Sequence, residues 1–321
     1  MAKYVKNGND IRVIPDGQVD VRDRLPVGLY TVSQDGGGFY LTRTDEFKLP
    51  DRVFGDVVRY AERIITTFRD RQKSTGVLLS GPKGSGKTML LKFVATELQK
   101  QGIPVILVND SYDPPGLTEF IRSMNDECAI LFDEFEKNYK NDDSYDYYQQ
   151  EGLLTLFDGT IESKNLYMLT CNCLDDINDL LLNRPGRMYY HIEHSRLPEN
   201  TIKEFCEVRL NNKSYIPSIV KIGAMVGDFS FDMLDVLVEE VNRYDIAPVE
   251  AMSILNIRLE SYSDDFMISV YRDEELLRVF DMNYDPLGCY PLNLYFTAEE
   301  VKKLKMKNLT GDDSYSLYLS L

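Results

Sequence analysis

Long apolar stretches are absent from this sequence of 321 residues. No apolar run approaches the roughly 18 residues that a membrane-spanning helix needs. The N-terminal residues Met1 to Lys6 continue into polar sequence and lack the apolar core of a secretion signal. We therefore expect a cytoplasmic protein with no membrane partner.

Histidine and cysteine are also scarce. The two histidines, His191 and His194, lie three residues apart on a predicted strand, so their side chains would face opposite sides and would not share a metal ion. One residue separates the closest two cysteines and no second pair follows, which is not a zinc-ligand spacing. The odd number of cysteines indicates reduced, structural thiols; they are Cys128, Cys171, Cys173, Cys206 and Cys289.

Positive charge is in deficit, because 36 basic residues stand against 52 acidic residues and the net charge is −16. A protein whose main partner is the phosphate backbone of a nucleic acid usually has a basic surplus. A local basic patch would still be compatible with this composition. Nucleic acid is therefore a possible but disfavoured partner.

What the sequence does contain is an alternation of strand and helix patterns between residues 51 and 197. Such alternation is typical of a parallel sheet packed between helices and predicts a large α/β domain over this range. The predicted sheet has five strands: Val77 to Leu79, Val105 to Val108, Ala129 to Phe132, Tyr167 to Thr170 and Tyr189 to Ile192.

Residues 1–50 precede this domain and are predicted to form a small β-rich module. Their strand patterns are interrupted by two glycine-containing turns, which is typical of hairpins. The expected strand pairs are Ile11 to Ile14 with Gln18 to Val21, and Gly28 to Ser33 with Phe39 to Arg43.

Two further units follow the α/β domain. Residues 198–259 contain helical patterns only, with Ser230 as an N-cap, and are predicted to form a small helical lid. Residues 260–321 return to strand patterns and add a short helix from Thr297, so we expect a short α+β extension.

A glycine-rich segment joins the first predicted strand to the next helix. It matches the pattern G-x-x-x-x-G-K-[ST] and consists of Gly81, Pro82, Lys83, Gly84, Ser85, Gly86, Lys87 and Thr88. Glycines let backbone N–H groups curl around phosphates, and the positive end of the helix points at them. Lys87 is expected to reach the β- and γ-phosphates of ATP, and the Thr88 hydroxyl to bind Mg²⁺. A chance glycine-rich turn would not bring the full motif together with both flanking elements.

A pair of acids, Asp133 and Glu134, ends the predicted strand Ala129 to Phe132. Asp133 can hold Mg²⁺ through its water shell, and Glu134 can orient and polarise the attacking water. Many strands end in solvated acids, so the pair is informative because it follows the phosphate-binding motif. An acid directly after the metal ligand favours a hydrolase over a small-molecule kinase.

Two later segments complete a family pattern: the strand that ends at Asn172, and the turn that contains Arg184 and Arg187 in an Arg-Pro-Gly-Arg sequence. Together with the earlier motifs they resemble the AAA clade of the AAA+ superfamily. The segment 152–159 also looks like the mitochondrial AAA translocases that export the Rieske protein, although their membrane anchor is missing here. The likeness covers roughly residues 75 to 210.

The resemblance implies roles for these residues. Asn172 would be the sensor that positions water near the γ-phosphate, and Arg184 and Arg187 would be arginine fingers that reach the nucleotide of a neighbouring subunit. Sites completed in this way imply a homo-oligomeric ring, for which we expect a hexamer. Phe54 and Gly55 would lie at the adenine.

The resemblance leaves the role of Tyr112 open between an aromatic that grips a threaded chain and an ordinary turn residue. The resulting hypothesis is a ring-shaped ATPase that uses ATP and Mg²⁺ to remodel or translocate a protein. The alternatives are a DNA-transaction ATPase of the clamp-loader or helicase-loader type and a monomeric P-loop kinase. The acidic net charge disfavours the DNA-transaction class, as does the lack of an arginine near Ser230 that could act as the second sensor (sensor 2).

Overall fold

The computed structural model describes most of the chain in separate ranges. Within these ranges, every helix is too short or too polar to reach from one face of a lipid bilayer to the other. The described residues are 3–7, 10–15, 20–139, 147–158, 164–182, 184–257, 266–272, 275–282 and 315–320.

The strands of the described residues form three sheets. The largest has seven strands in the order β4-β3-β6-β7-β8-β5-β9, while β1 and β2 form a hairpin and β11, β10 and β12 form a third sheet. The strand bounds are β1 Lys3–Asn7, β2 Asp10–Ile14, β3 Leu29–Asp35, β4 Gly38–Thr44, β5 Thr75–Ser80, β6 Val105–Val108, β7 Ala129–Phe132, β8 Leu166–Cys171, β9 Tyr190–Glu193, β10 Phe266–Arg272, β11 Glu275–Met282 and β12 Tyr315–Ser320.

The helices of the described residues lie mainly on the two faces of the largest sheet and in the segment after it. Most begin at Pro or at a polar residue, as helix starts usually do. Their bounds are α1 Val57–Asp70, α2 Lys87–Lys100, α3 Pro114–Ser123, α4 Phe135–Asn138, α5 Tyr147–Phe157, α6 Asp179–Leu182, α7 Glu199–Arg209, the 3₁₀ helix Lys213–Tyr215, α8 Ile216–Met225, α9 Phe231–Tyr244 and α10 Pro248–Ile254.

The largest sheet confirms the α/β prediction, but the predicted number of five strands is wrong. All five predicted strands are present and parallel to their neighbours, as β5 to β9. Two more strands extend the sheet, because β3 pairs in parallel with β6 and β4 pairs antiparallel with β3. The second hairpin of the N-terminal module therefore completes the sheet instead of standing apart.

Strand β5 shows why both faces of the sheet are covered. All six of its residues are buried, and its apolar side chains alternate between two cores. Val77 and Leu79 pack in the core formed with α1 and α2, whereas Leu78 packs in the core formed with α3 and α5. Since parallel strands bury both faces, the continuous apolar runs in the sequence match this arrangement.

The helical segment predicted at 198–259 is observed as helices α7 to α10 with a core of their own. Ser230 caps α9, since its side chain accepts a hydrogen bond from the Met233 backbone N–H. The next residue anchors this lid to the phosphate-binding loop, because the Phe231 N–H donates to the Gly84 carbonyl at 3.0 Å. The lid therefore touches the predicted nucleotide loop directly.

The terminal segments match the strand predictions in part. β2 contains Ile11 to Ile14 and pairs antiparallel with β1, on its N-terminal side. The predicted partner strand Gln18 to Val21 lies partly outside the described residues. In the C-terminal segment, the predicted strand patterns are observed in β10 and β11. The predicted helix from Thr297 lies outside the described residues. The division of the chain into four domains stays a prediction.

Candidate nucleotide-binding site

The glycine-rich loop leaves β5 and turns sharply into α2. Gly81 has φ of 133°, and a Cβ atom there would lie 1.9 Å from the His194 carbonyl oxygen. Gly86, at φ of 101°, precedes the first residue of α2. Since L-residues avoid these φ values, both positions need glycine. The motif thus forms the strand–loop–helix geometry that cradles phosphates.

Lys87 lies folded over this loop. Its Nζ donates to the carbonyl oxygens of Gly81 at 2.5 Å and Pro82 at 2.8 Å, and to Asn172 Oδ1 at 3.2 Å. Burial lowers the pKa of the Lys87 ammonium, while the charges of nearby acidic groups, among them Glu136, oppose that shift. The ammonium is therefore held among acceptors at the mouth of the loop.

Asp133, which directly follows β7, meets Thr88 in the first turn of α2. The Thr88 Oγ1 donates to Asp133 Oδ1 at 3.3 Å, and the Thr170 Oγ1 donates to the same oxygen at 2.6 Å. A hydroxyl and a carboxylate side by side are oxygen ligands of the kind Mg²⁺ takes together with substrate phosphates. Thr88 and Asp133 therefore fit a nucleotide-bound Mg²⁺.

Glu134 follows Asp133 in a left-handed backbone conformation, with φ of 51°, which is uncommon for a residue other than glycine. Its carboxylate forms an ion pair with Lys137. The hydrogen bond from Lys137 is the main reason why the pKa of Glu134 lies below its usual range. The group is therefore a half-exposed carboxylate, paired with Lys137, at the edge of the same cleft.

Asn172 follows β8 and lies between the lysine and the acids. Its backbone N–H and its side-chain Nδ2 both donate to Glu136 Oε1, at 3.0 and 2.7 Å. Strand β8 runs between β5 and β7, so its carboxyl end is adjacent to both motifs. The sheet order therefore brings the four predicted groups Lys87, Asp133, Glu134 and Asn172 together.

A cleft of about 1120 Å³ extends from the loop to the lid. Phe54, predicted at the adenine, lines it together with Phe205 from α7 and Phe231 from α9. Phe54 and Phe205 have ring centroids 4.9 Å apart. Gly55 lies beside Phe54 at φ of 71°, where a Cβ atom would be 3.3 Å from Thr201. The cleft thus offers an aromatic end next to the phosphate-binding end.

Residues 77–196 match the model of the ATPase family associated with various cellular activities (AAA). The chain contains an AAA ATPase domain. The matched range begins in β5 and ends after β9, so it contains the loop, both acids and Asn172. Domains of this type bind and hydrolyse ATP.

Several curated relatives are similar to part of this chain. Peroxisomal ATPase PEX1 of Homo sapiens is 33% identical over 129 residues, which are 36% of this chain and 10% of that protein. The cell division cycle protein 48 homolog of Archaeoglobus fulgidus is 33% identical over 131 residues, 36% of this chain and 18% of that protein. The ATP-dependent zinc metalloprotease FtsH 2 of Phytoplasma mali is 30% identical over 159 residues, 44% of this chain and 22% of that protein. The chain thus spans less than a quarter of the length of these relatives, and the finer likeness to the Rieske-protein translocases stays a prediction.

The two predicted arginine fingers of the AAA domain are in different environments. Arg184 is exposed, whereas the Arg187 side chain is only 7% exposed and forms an ion pair with Asp158. Arg187 Nη2 donates to Asp158 Oδ2 at 3.0 Å and Nη1 to the Leu180 carbonyl at 2.7 Å. Neither arginine lines the cleft. In this arrangement the Arg184 side chain is exposed on the surface, whereas Arg187 is occupied by the contacts with Asp158 and Leu180.

Tyr112 has a packing role in the AAA domain. Its hydroxyl donates to the Val32 carbonyl at 2.6 Å, and its ring meets the Phe39 ring edge to face at 5.6 Å. These contacts bind the loop after β6 to the hairpin β3–β4. The arrangement favours the interpretation of Tyr112 as a turn residue over that of a free pore aromatic.

The two histidines contact the phosphate-binding loop and the end of the strand that precedes it. His191 Nε2 lies 2.8 Å from the Ser80 hydroxyl, and His194 Nδ1 lies 3.2 Å from the Ser85 carbonyl, to which it can donate. Burial lowers the pKa of His194. Within the described ranges, no three His, Cys, Asp or Glu side chains are grouped to hold a metal ion, and the four cysteines found there are free. The structural role predicted for both histidines matches these contacts.

Three groups at the site escaped the sequence prediction. Thr170 links both acids, because it donates to Asp133 and its Oγ1 accepts from the Glu134 N–H at 2.8 Å. Phe205 and Phe231 looked like ordinary apolar positions of lid helices. The polar residue at the end of the apolar run 167–170 was the available signal for Thr170, whereas the two phenylalanines have no local signal.

Proposed function

We propose that this chain hydrolyses ATP as a homo-oligomeric ring and uses the energy to remodel or translocate a protein. The observation that carries the proposal is the convergence of Lys87, Thr88, Asp133 and Asn172 at one edge of the sheet, with the hydrogen bonds of 3.2 and 3.3 Å given above. Few reactions other than phosphoryl transfer use a phosphate-binding loop beside a hydroxyl–carboxylate pair.

ATP would lie with its phosphates along the loop and its base in the aromatic end of the cleft. Lys87 would exchange the loop carbonyls for the β- and γ-phosphate oxygens, to which its ammonium can donate. Thr88 and Asp133 would hold Mg²⁺, which neutralises phosphate charge when bound. Phe54, Phe205 and Phe231 surround the space for the adenine.

Glu134 would orient the water that attacks the γ-phosphate. A carboxylate can accept a proton from water, and the hydrogen bond from Lys137 holds the pKa of Glu134 below its usual range. In a Glu134→Gln variant the side chain keeps its size but loses the charge, so ATP should bind and remain uncleaved. Hydrolysis at the native rate by this variant would remove the proposed role.

Arg184 is the group that we propose to complete the site of a neighbouring subunit. An exposed guanidinium can neutralise the charge that spreads over the phosphoryl oxygens, and such a finger contributes about 10³–10⁵ in rate. The support is its exposure on the surface of the AAA domain, outside the cleft of its own chain. Ring formation, with a hexamer as the expected size, follows from a finger that acts between subunits.

The first test is ATP turnover per subunit over a wide range of protein concentration. A steep rise with concentration is expected, since sites completed by a neighbour need assembly. A rate per subunit that stays constant down to monomeric protein would contradict the shared site. Release of phosphate to water, without a phosphorylated acceptor, separates the ATPase from a kinase.

Mixing two inactive variants tests the shared site more directly. Arg184→Ala should remove the arginine finger and keep Lys87 in the nucleotide site. Lys87→Ala should disable the nucleotide site of its own subunit and keep Arg184. In an equal mixture about one interface in four would combine an intact Lys87 with an intact Arg184 from the neighbour, so about a quarter of the activity should return. If no activity returns although the mixed rings form, Arg184 does not act between subunits.

A further inference from the structure

Glu136 is a buried acid at the nucleotide site to which none of the motifs assigns a role. It lies in the short helix α4, two residues after Glu134, and only 8% of its surface is exposed. Helix α4 packs against β8, the strand that Asn172 follows. Glu136 contacts Asn172 but does not itself line the cleft.

The contacts of Asn172 permit one orientation of its amide group. A carboxylate can only accept hydrogen bonds and an ammonium can only donate them. Glu136 Oε1 thus requires the amide nitrogen at 2.7 Å, and Lys87 Nζ requires the amide oxygen at 3.2 Å. The backbone N–H of Asn172 adds a second bond to the same Oε1, at 3.0 Å, and fixes the distance between the two residues.

The burial of Glu136 is costly, which makes a role in stability alone a poor explanation. Its second oxygen, Oε2, is buried and accepts no hydrogen bond from the described residues. An unsatisfied buried polar group costs about 1–3 kcal/mol, and more when it is charged. A neutral acceptor or an apolar residue would fill the space at lower cost. The negative charge adds a strict demand for hydrogen-bond donors. The backbone N–H and the side-chain Nδ2 of Asn172 meet this demand.

We infer that Glu136 is a positioning residue for ATP hydrolysis, which orients the Asn172 amide with its oxygen toward Lys87. The inference rests on the proposed ATPase function. Asn172 lines the cleft together with Lys87 and Glu134, so its orientation affects the space in which the γ-phosphate and the attacking water would lie. Glu136 thereby acts through Asn172, the residue that would position this water.

The test is a double-mutant cycle on ATP hydrolysis by the full chain at a concentration that forms the assembly. Glu136→Ala should lower kcat about 10- to 100-fold, because a misplaced Asn172 amide no longer positions the attacking water, while the affinity for ATP changes less than about threefold. In an Asn172→Ala background the same substitution should change kcat less than about twofold, since the residue through which it acts is gone. Glu136→Gln keeps an Oε1 acceptor at the same place and should restore most of the loss. Glu119→Gln, an exposed acid on α3, is the matched control and should leave kcat unchanged.

Equal losses from Glu136→Ala with and without Asn172 would overturn the inference, as would a fall in ATP affinity that accounts for the fall in turnover. If Glu136→Ala fails to fold, Glu136→Met, which fills the same space without an oxygen acceptor, gives the same comparison in both backgrounds. Wild-type protein that binds ATP without hydrolysing it would reject the proposed function. In that case crystal structures decide the inference separately: the Asn172 side chain should leave Lys87 in Glu136→Ala and stay in place in Glu136→Gln. An unmoved Asn172 in Glu136→Ala would refute it.

Discussion

The ion pair between Arg187 and Asp158 makes a quantitative prediction about stability. Arg187 is almost fully buried, at 7% exposure, whereas the Asp158 side chain is 30% exposed. Two of the guanidinium nitrogens contact the Asp158 carboxylate, and a third contacts the Leu180 carbonyl. The guanidinium is always charged, so it cannot relieve the loss of its partner by giving up a proton. In Asp158→Asn the guanidinium of Arg187 should therefore stay buried and charged. The asparagine would offer it one oxygen acceptor but no negative charge.

The size of the effect follows from the burial of the two groups. Removing one partner of a fully buried pair costs about 3–5 kcal/mol, because the other charge remains desolvated. Partial exposure of Asp158 lets water reach the pair, and one acceptor oxygen remains in asparagine. We therefore expect a loss of about 2–3 kcal/mol for Asp158→Asn. The exposed pair of Arg209 and Asp235 offers a control, since Asp235→Asn should cost less than about 0.5 kcal/mol.

Urea unfolding followed by circular dichroism measures both variants against the wild type. With a slope of about 3 kcal/mol per M for a domain of this size, the midpoint of Asp158→Asn should fall by about 1 M, and that of Asp235→Asn should hardly move. If Asp158→Asn unfolds at the wild-type urea concentration, Arg187 is not held as the buried pair indicates. Arg187 would then be available as a second finger.

Three further predictions concern the phosphate-binding loop and its acids. Burial lowers the pKa of His194 in the folded protein. The contribution of neutral His194 to the free energy of unfolding is therefore complete above pH 6.5 and is lost as the pH falls through the lowered pKa. His194→Gln should flatten this part of the profile of stability against pH, measured by urea unfolding. Lys137→Ala should raise the pKa of Glu134 and move the acidic limb of the kcat–pH profile to higher pH, and an unmoved limb would show that Glu134 is not the titrating base. Gly81→Ala should abolish ATP binding in a fluorescent-nucleotide titration, because the new Cβ would meet the His194 carbonyl at 1.9 Å; native affinity would mean that the loop tolerates a shift of its backbone.

The parts of the fold that could be predicted are those set by local sequence. Continuous apolar runs such as Ala129 to Phe132 indicate strands buried on both faces, and all five predicted strands of the α/β domain are observed. The strand number was too low because β3 joins the sheet through residues 29–31 and 105–107, which are more than 70 positions apart. No local pattern specifies such a partner. The pairing of β2 with β1 was likewise not predicted.

The site was predictable to the same extent. Lys87, Thr88, Asp133 and Glu134 belong to motifs whose spacing along the chain reflects their chemistry, and they lie together at one edge of the sheet. The environment of Arg187 could not be predicted, because an Arg-Pro-Gly-Arg turn gives no indication that Asp158 will bury its second arginine. At the aromatic end of the cleft, Phe54 was predicted but the lid residues Phe205 and Phe231 were not. The lid residues line the cleft because the lid packs against the loop, with α9 hydrogen-bonded to Gly84.

The missed polar residues have one feature in common, because each contacts a residue that was found. Thr170 donates to Asp133, Glu136 accepts from Asn172, and Asp158 neutralises Arg187. A motif constrains the residues that contact substrate, because chemistry limits their type and spacing. An orienting residue needs only a donor or an acceptor at the right point in space, and many chain positions can supply one. Sequence motifs therefore constrain orienting residues least, and the cycle of Glu136 and Asn172 variants measures how much one of them contributes.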